Sequence, residues 1–259
     1  MGFRDSYKGG IFSWVDLQTT DIVKVKPFYR AMFGWDLVDE PTDDGFSYTL
    51  ACLEGRKVAG LAQAGPDVPH SMWQSYINVE KLDNLLEQVP AFGGQILMAP
   101  MEVSKHGRMA CIKDPGDAVV YLWERKNTIG AEWVNDPNTL CWNELNTRQL
   151  SKSKDFYSKL FAWNFKEEKT GSDSYTTIEV DGWMNGGMLD MNDKIPEDVP
   201  PHWNIYFNVA NLQSSLKTCQ EHGGTIVAGP MEVPVGPFAI IADPSGAHFT
   251  VIECKEVDP

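Results

Sequence analysis

Two carboxylic acids, Asp16 and Glu144, each stand two residues after a tryptophan, Trp14 and Trp142, and the two pairs lie 128 positions apart. A carboxyl group held beside an indole in half-dry surroundings has its pKa raised, which suits it to act as a general acid, a general base or a hydrogen-bond anchor for a ligand. The same acids could instead bond backbone amides or a tyrosine hydroxyl and serve packing alone. Trp14-Val15-Asp16-Leu17-Gln18 and Trp142-Asn143-Glu144-Leu145-Asn146 alternate as strands do, so indole and acid share a face. Strand parity adds Gln74, Tyr76, Tyr121 and Trp123 to the first set, and Asn204, Tyr206 and His248 to the second. An apolar wall carrying a few placed polar groups is how small-molecule pockets are built. The opposing reading is that these rings simply plug the hollow. No catalytic residue can be assigned from the pattern.

The elements that must position these side chains are written twice. Trp14, Leu17, Thr19, Phe28, Tyr29, Phe33 and Trp35 recur as Trp142, Leu145, Thr147, Phe156, Tyr157, Phe161 and Trp163. The later parts of each copy repeat too, with Tyr76-Ile77-Asn78-Val79 answered by Tyr206-Phe207-Asn208-Val209. Such a period marks a tandem duplication. Within a copy the order strand, helix, three strands occurs twice. The fold expected is therefore α+β, with four βαβββ modules forming two curved mixed sheets and helices on the convex side. The expected domains are residues 10–126 and 138–256, joined by a linker over 127–137. A helix capped near Thr20 or Asp21 should end at Gly34, with Pro27 kinking it; a second should run from Leu82 to Val89. A strand is expected from Phe46 to Leu53.

A formal charge of −14 and a pI near 4.7 work against binding a nucleic-acid backbone or an anionic membrane surface. No apolar run is long enough to span a bilayer and the N-terminus has no apolar leader, so a cytoplasmic location is expected. The five cysteines have no metal-binding spacing and read as free thiols. The histidines do not cluster; His248 has the best claim to function, because alternation points it into the second cup with Thr250.

The WxxLxTxD opening at Trp14 to Asp21, the FYxxxFGW phrase at Phe28 to Trp35 and the DPxG turn at Asp243 to Gly246 carry a family resemblance. The chain resembles the vicinal-oxygen-chelate superfamily of glyoxalases, bleomycin-resistance proteins and extradiol dioxygenases, and most of all its two-module, glyoxalase-like subgroup. That resemblance implies a divalent metal on the concave face, held from the first, fifth and eighth strands by His, Gln or Glu. Here the three places fall on Trp14, Gln74 and Tyr121, and on Trp142, Asn204 and Thr250. Only Gln74 has a ligand precedent, so no metal or other cofactor is expected. The function expected is metal-independent binding of a small organic molecule by the ten residues Trp14, Asp16, Gln74, Tyr76, Tyr121, Trp142, Glu144, Asn204, Tyr206 and His248. The alternative is a metal-dependent lyase or dioxygenase that recruits Asp16, Glu144 and His248 as ligands. Because the modules can pair within the chain, a monomer would suffice.

Overall fold

The computed structural model describes residues 2–42, 45, 47–170, 173–192 and 194–255. Phe46 and the expected domain end at residue 256 lie outside them. The first half contains β1 (Phe12–Thr19), α1 (Ile22–Phe33), β2 (Asp36–Pro41), β3 (Ser47–Leu53), β4 (Arg56–Gln63), β5 (Met72–Val79), α2 (Leu82–Leu86), β6 (Gln95–Val103), β7 (Gly107–Lys113) and β8 (Val119–Arg125). The second repeats it as β9 (Leu140–Thr147), α3 (Leu150–Phe161), β10 (Asn164–Thr170), β11 (Asp173–Val180), β12 (Trp183–Asp190), β13 (His202–Asn208), α4 (Leu212–Glu221), β14 (Thr225–Val233), β15 (Gly236–Ala242) and β16 (His248–Ile252). These are the four expected βαβββ modules.

Each half makes one mixed eight-stranded sheet, ordered β2-β3-β4-β1-β5-β8-β7-β6 and β10-β11-β12-β9-β13-β16-β15-β14. The module-opening strands, β1 with β5 and β9 with β13, pair antiparallel at the centre of each sheet. The registers Asp16 with Gln74 and Glu144 with Asn204 put the conspicuous polar side chains of neighbouring strands side by side.

Each sheet comes from one half, but each core is shared between halves. Phe28, Tyr29 and Phe33 on α1 pack with Phe207, Leu216 and Phe249 from the last module, while Phe156 and Tyr157 on α3 pack with Ile77, Leu86 and Val120 from the second. Polar bonds follow the same crossing. The Tyr29 hydroxyl donates to Asp243 at 2.9 Å, and Ser153 on α3 donates to Asp114 at 2.9 Å. Both acids sit in the DPxG turns, where their other oxygen accepts backbone N–H bonds and fixes the turn.

Of the first two helices, the start and end of the first hold to expectation, and the second is shorter. Helix α1 starts where expected, with Asp21 accepting from Lys24 N, and ends on left-handed Gly34, but it runs on through Pro27 over the same length as its twin. Pro27 lies on the exposed side of the helix, so the Val23 carbonyl that loses its partner can face water. The second helix stops at Leu86 rather than Val89, because Pro90 has no N–H to continue the ladder. The chain tightens into the bonds Gln88 N to Leu85 O and Val89 N to Leu86 O, then forms a 3-10 turn over Pro90–Phe92.

Candidate functional site on the concave sheet faces

Asp16 is only 6% exposed, and its Oδ2 accepts from two tyrosine hydroxyls, Tyr76 at 2.9 Å and Tyr48 at 3.2 Å. The Trp14 indole N–H donates to the Tyr48 oxygen at 3.0 Å. The second half repeats the arrangement. Glu144 accepts from Tyr175 at 2.8 Å and Tyr206 at 3.0 Å, and Trp142 donates to Tyr175 at 2.9 Å. Each concave face therefore holds a carboxyl group clasped by two phenols, one of them steadied by an indole.

Sequence reasoning missed Tyr48 and Tyr175, which reach the acids from the third strand of the first and third modules by crossing a glycine. An added Cβ on Gly60 would stand 1.8 Å from the Tyr48 oxygen, and one on Gly187 would stand 2.0 Å from that of Tyr175. Gly60 and Gly187 pair in register with Asp16 and Glu144. The signal was present, since both Tyr48 with Tyr175 and Gly60 with Gly187 recur 127 positions apart. Gly187→Ala should lift Tyr175 off Glu144 and cost about 1–3 kcal/mol, the usual range for overpacking. Urea unfolding measures this, and an unchanged midpoint would mean that the tyrosine is not pinned there.

Burial dominates the electrostatics. It pushes the Asp16 carboxyl from 3.8 up to about 7, with the Tyr76 and Tyr48 bonds opposing the rise. Glu144 is raised for the same reason and opposed by Tyr175 and Tyr206. The four phenols are raised by burial and by the facing acids, so they stay donors.

The two faces differ in what remains unpaired. Both tyrosines of the first face bond the same oxygen of Asp16, leaving Oδ1 buried with no partner, and Gln74 Oε1 across the register is buried and unpartnered too. Tyr121 is half-buried on β8, in register with Tyr76 on one side and Cys111 on the other. In the second face both Glu144 oxygens are taken and Asn204 donates to Thr250 at 2.9 Å. Its unpartnered oxygen is Asn146 Oδ1, and the amide nitrogen of the same side chain is bonded to His202 Nε2 at 3.4 Å. His248 is exposed at the start of β16. It stands close enough to His202 to help burial lower the latter's pKa. Trp123, expected on the first face, donates to Thr128 O at 2.9 Å. Asp16 and Glu144 are both buried, and a hollow of about 650 Å³ lies at the start of α3 by Arg148 and Lys152.

Among the described residues, sixteen strands in four modules, with paired polar clusters on two concave faces, form a duplicated fold, and the comparisons agree. Residues 11–121 and 139–251 each match the glyoxalase/bleomycin resistance protein/dioxygenase superfamily. The chain belongs to this superfamily. It is 36% identical over 256 residues to the "Putative glyoxylase CFP32" of Mycobacterium tuberculosis, covering 96% of this chain and 97% of that one. It is 29% identical to the anthracycline biosynthesis protein DnrV of Streptomyces peucetius, covering 96% and 95%. Among solved structures, the Mn(II)-bound glyoxalase of Novosphingobium aromaticivorans superposes with a TM-score of 0.66 at 16% identity, covering 97% of this chain and 84% of that one. The 2,3-dioxygenase LapB of Pseudomonas sp. KL28 gives 0.66 at 14%, covering 98% and 96%. At such identities these two structures show the fold alone.

The metal implied by the resemblance can be tested against the donors present. The two sets of three places supply two indoles, two amides, a phenol and a hydroxyl. The Asn204 amide and the Thr250 hydroxyl are bonded to each other. Among the described residues no group of three His, Cys, Asp or Glu side chains is placed to hold an ion. Such a donor set does not fit a transition metal, which needs imidazole, thiolate or carboxylate.

Proposed function

We propose that the protein binds a small organic molecule on the concave face of its first sheet, without a resident metal, and that Asp16 and Gln74 are the groups that recognise it. The observation that carries this reading is the pair of unpartnered buried oxygens, Asp16 Oδ1 and Gln74 Oε1, on facing residues of β1 and β5. An unsatisfied buried acceptor costs roughly 1–3 kcal/mol, so two together favour whatever brings hydrogen-bond donors to them. Trp14, Tyr76 and the half-buried Tyr121 supply the aromatic wall. The ligand class is an aromatic or carbonyl-bearing molecule that also carries O–H or N–H donors. The likeness to a protein named for anthracycline biosynthesis supports an aromatic guest. Cores shared between the halves support action as a monomer.

Tryptophan fluorescence titrated with hydroxylated aromatic and dicarbonyl compounds tests the proposal. Saturable quenching is expected, weakened at least tenfold by Gln74→Leu, about the 1.4 kcal/mol that one lost hydrogen bond represents. Glu144→Gln should leave it within twofold. Absence of saturable quenching by the whole panel would remove the proposal's support.

A further inference from the structure

Strand register sorts the side chains of the first concave face into rows. Trp14 pairs with Tyr76 across β1 and β5, and Tyr76 pairs with Tyr121 on β8, their rings 4.9 Å apart. One step along the strands Asp16 pairs with Gln74, and one step further Gln18 pairs with Met72. Residues two apart on a strand share a face, so the acid row lies between an aromatic wall and an outer row that reaches solvent through Met72, 44% exposed. Val119, two residues before Tyr121 on β8, borders the same edge and is 40% exposed.

What the acid row lacks is a positive charge. The Tyr48 and Tyr76 hydroxyls hold Asp16 Oδ2, while Asp16 Oδ1 and Gln74 Oε1 are buried acceptors with no donor. The groups that face Asp16 are Tyr48 from β3, Gly60 from β4, Gln74 and Tyr76 from β5, then Tyr121 of β8 with Cys111 of β7 in register beyond it. None of these is charged near neutral pH, because burial raises the phenols and the thiol. Lys113, a cation in register with Val119, is bonded to Asp117 at 2.8 Å. The second face differs, since both Glu144 oxygens accept tyrosine hydroxyls and Asn204 donates to Thr250.

We propose that the ligand of the first face is a protonated arylalkylamine, whose ammonium group donates to Asp16 Oδ1 and Gln74 Oε1 together; this rests on the reading of that face as a binding site. A hydroxyl brings one donor and no charge. An ammonium brings three donors, so it can meet both oxygens and also neutralise the acid. Hydrogen bonds between ionised groups are roughly twice as strong as neutral ones, and a buried carboxylate left without a cation is costly. The rings of Trp14, Tyr76 and Tyr121 turn electron-rich faces toward positive charge and supply stacking surface for the aryl group. The net charge of −14 draws cations toward the protein. Burial pushes the Asp16 carboxyl up to about 7, so below that pH a bound ammonium displaces a proton, and above it the carboxylate is already ionised. Affinity therefore rises with pH up to that value and then levels off.

Isothermal titration calorimetry with phenethylamine and phenethyl alcohol, which share ring and chain, tests this. At pH 8 the amine is expected to bind about tenfold tighter than the alcohol, or more. Its affinity should weaken toward about tenfold per unit as pH falls below 6, with close to one proton released per amine bound at pH 6 and almost none at pH 8. Asp16→Asn should bring the two compounds within about threefold of each other and remove the proton release. Glu144→Gln should keep both effects. An alcohol that binds as tightly as the amine, or an amine affinity independent of pH from 5 to 8, would overturn the cation and leave the binding site standing. So would an amine that fails to bind while hydroxylated or dicarbonyl compounds quench the tryptophan fluorescence. Failure of every compound in both experiments would remove the binding site and this inference together.

Discussion

Phe28→Ala is expected to destabilise the protein by roughly 3–5 kcal/mol and to do so in both halves at once. Phe28 is fully enclosed on α1, edge-on to Phe249 of the last strand and lying over Gly224, where an added Cβ would come within 2.7 Å of its ring. Removing it opens a void at the seam where the first module meets the fourth. The loss is a large share of the roughly 5–15 kcal/mol by which domains are stable. Because both halves contribute to this core, thermal unfolding of the variant should remain one transition by far-ultraviolet circular dichroism and by tryptophan fluorescence. Two separated transitions, one at the wild-type midpoint, would show that the halves are independent.

The second large effect is a dependence of stability on pH that belongs to Asp16. Its carboxyl is raised from 3.8 to about 7 in the folded protein, so between these values the native state binds a proton that the unfolded chain has released. Stability must then fall as pH rises through this window and level off above it. At roughly 1.4 kcal/mol per pH unit the fall amounts to ~4 kcal/mol for a wholly buried group. Asp16→Asn keeps an oxygen for the two tyrosines, offers N–H donors toward Gln74, and never ionises. It should match the wild type near pH 4 and exceed it by most of that amount at pH 8, as read from urea midpoints. Parallel curves for the two proteins would mean that Asp16 is not held as an acid.

The fold was legible because the sequence states it twice. Residues such as Phe28 and Phe156 repeat in register, and alternation around Trp14 and Trp142 identified the central strands and the face they share. The clasp around the acids was only half legible. Tyr76 and Tyr206 lie on strands whose pairing with β1 and β9 follows from the module order, so parity found them. Tyr48 and Tyr175 reach the acids diagonally over Gly60 and Gly187, a packing relation that strand parity does not encode. The unequal bonding of the two faces depends on which oxygen each tyrosine chooses, and Asp16, one carbon shorter than Glu144, presents a single oxygen to both phenols. The crossing of cores between halves was equally hidden, since helical periodicity marks an apolar face without naming the strand it meets. At Pro27 the helix continues, because the carbonyl left without a partner can face water on the exposed side.

Metal-independent binding is tested most directly by the metal content per chain, measured by elemental analysis of protein purified without chelator and shown to bind a ligand in the fluorescence titration. Far less than one equivalent of Mn, Fe, Ni or Zn is expected, with ligand affinity unchanged by chelator. One equivalent of such an ion, whose removal abolishes ligand binding, would contradict it.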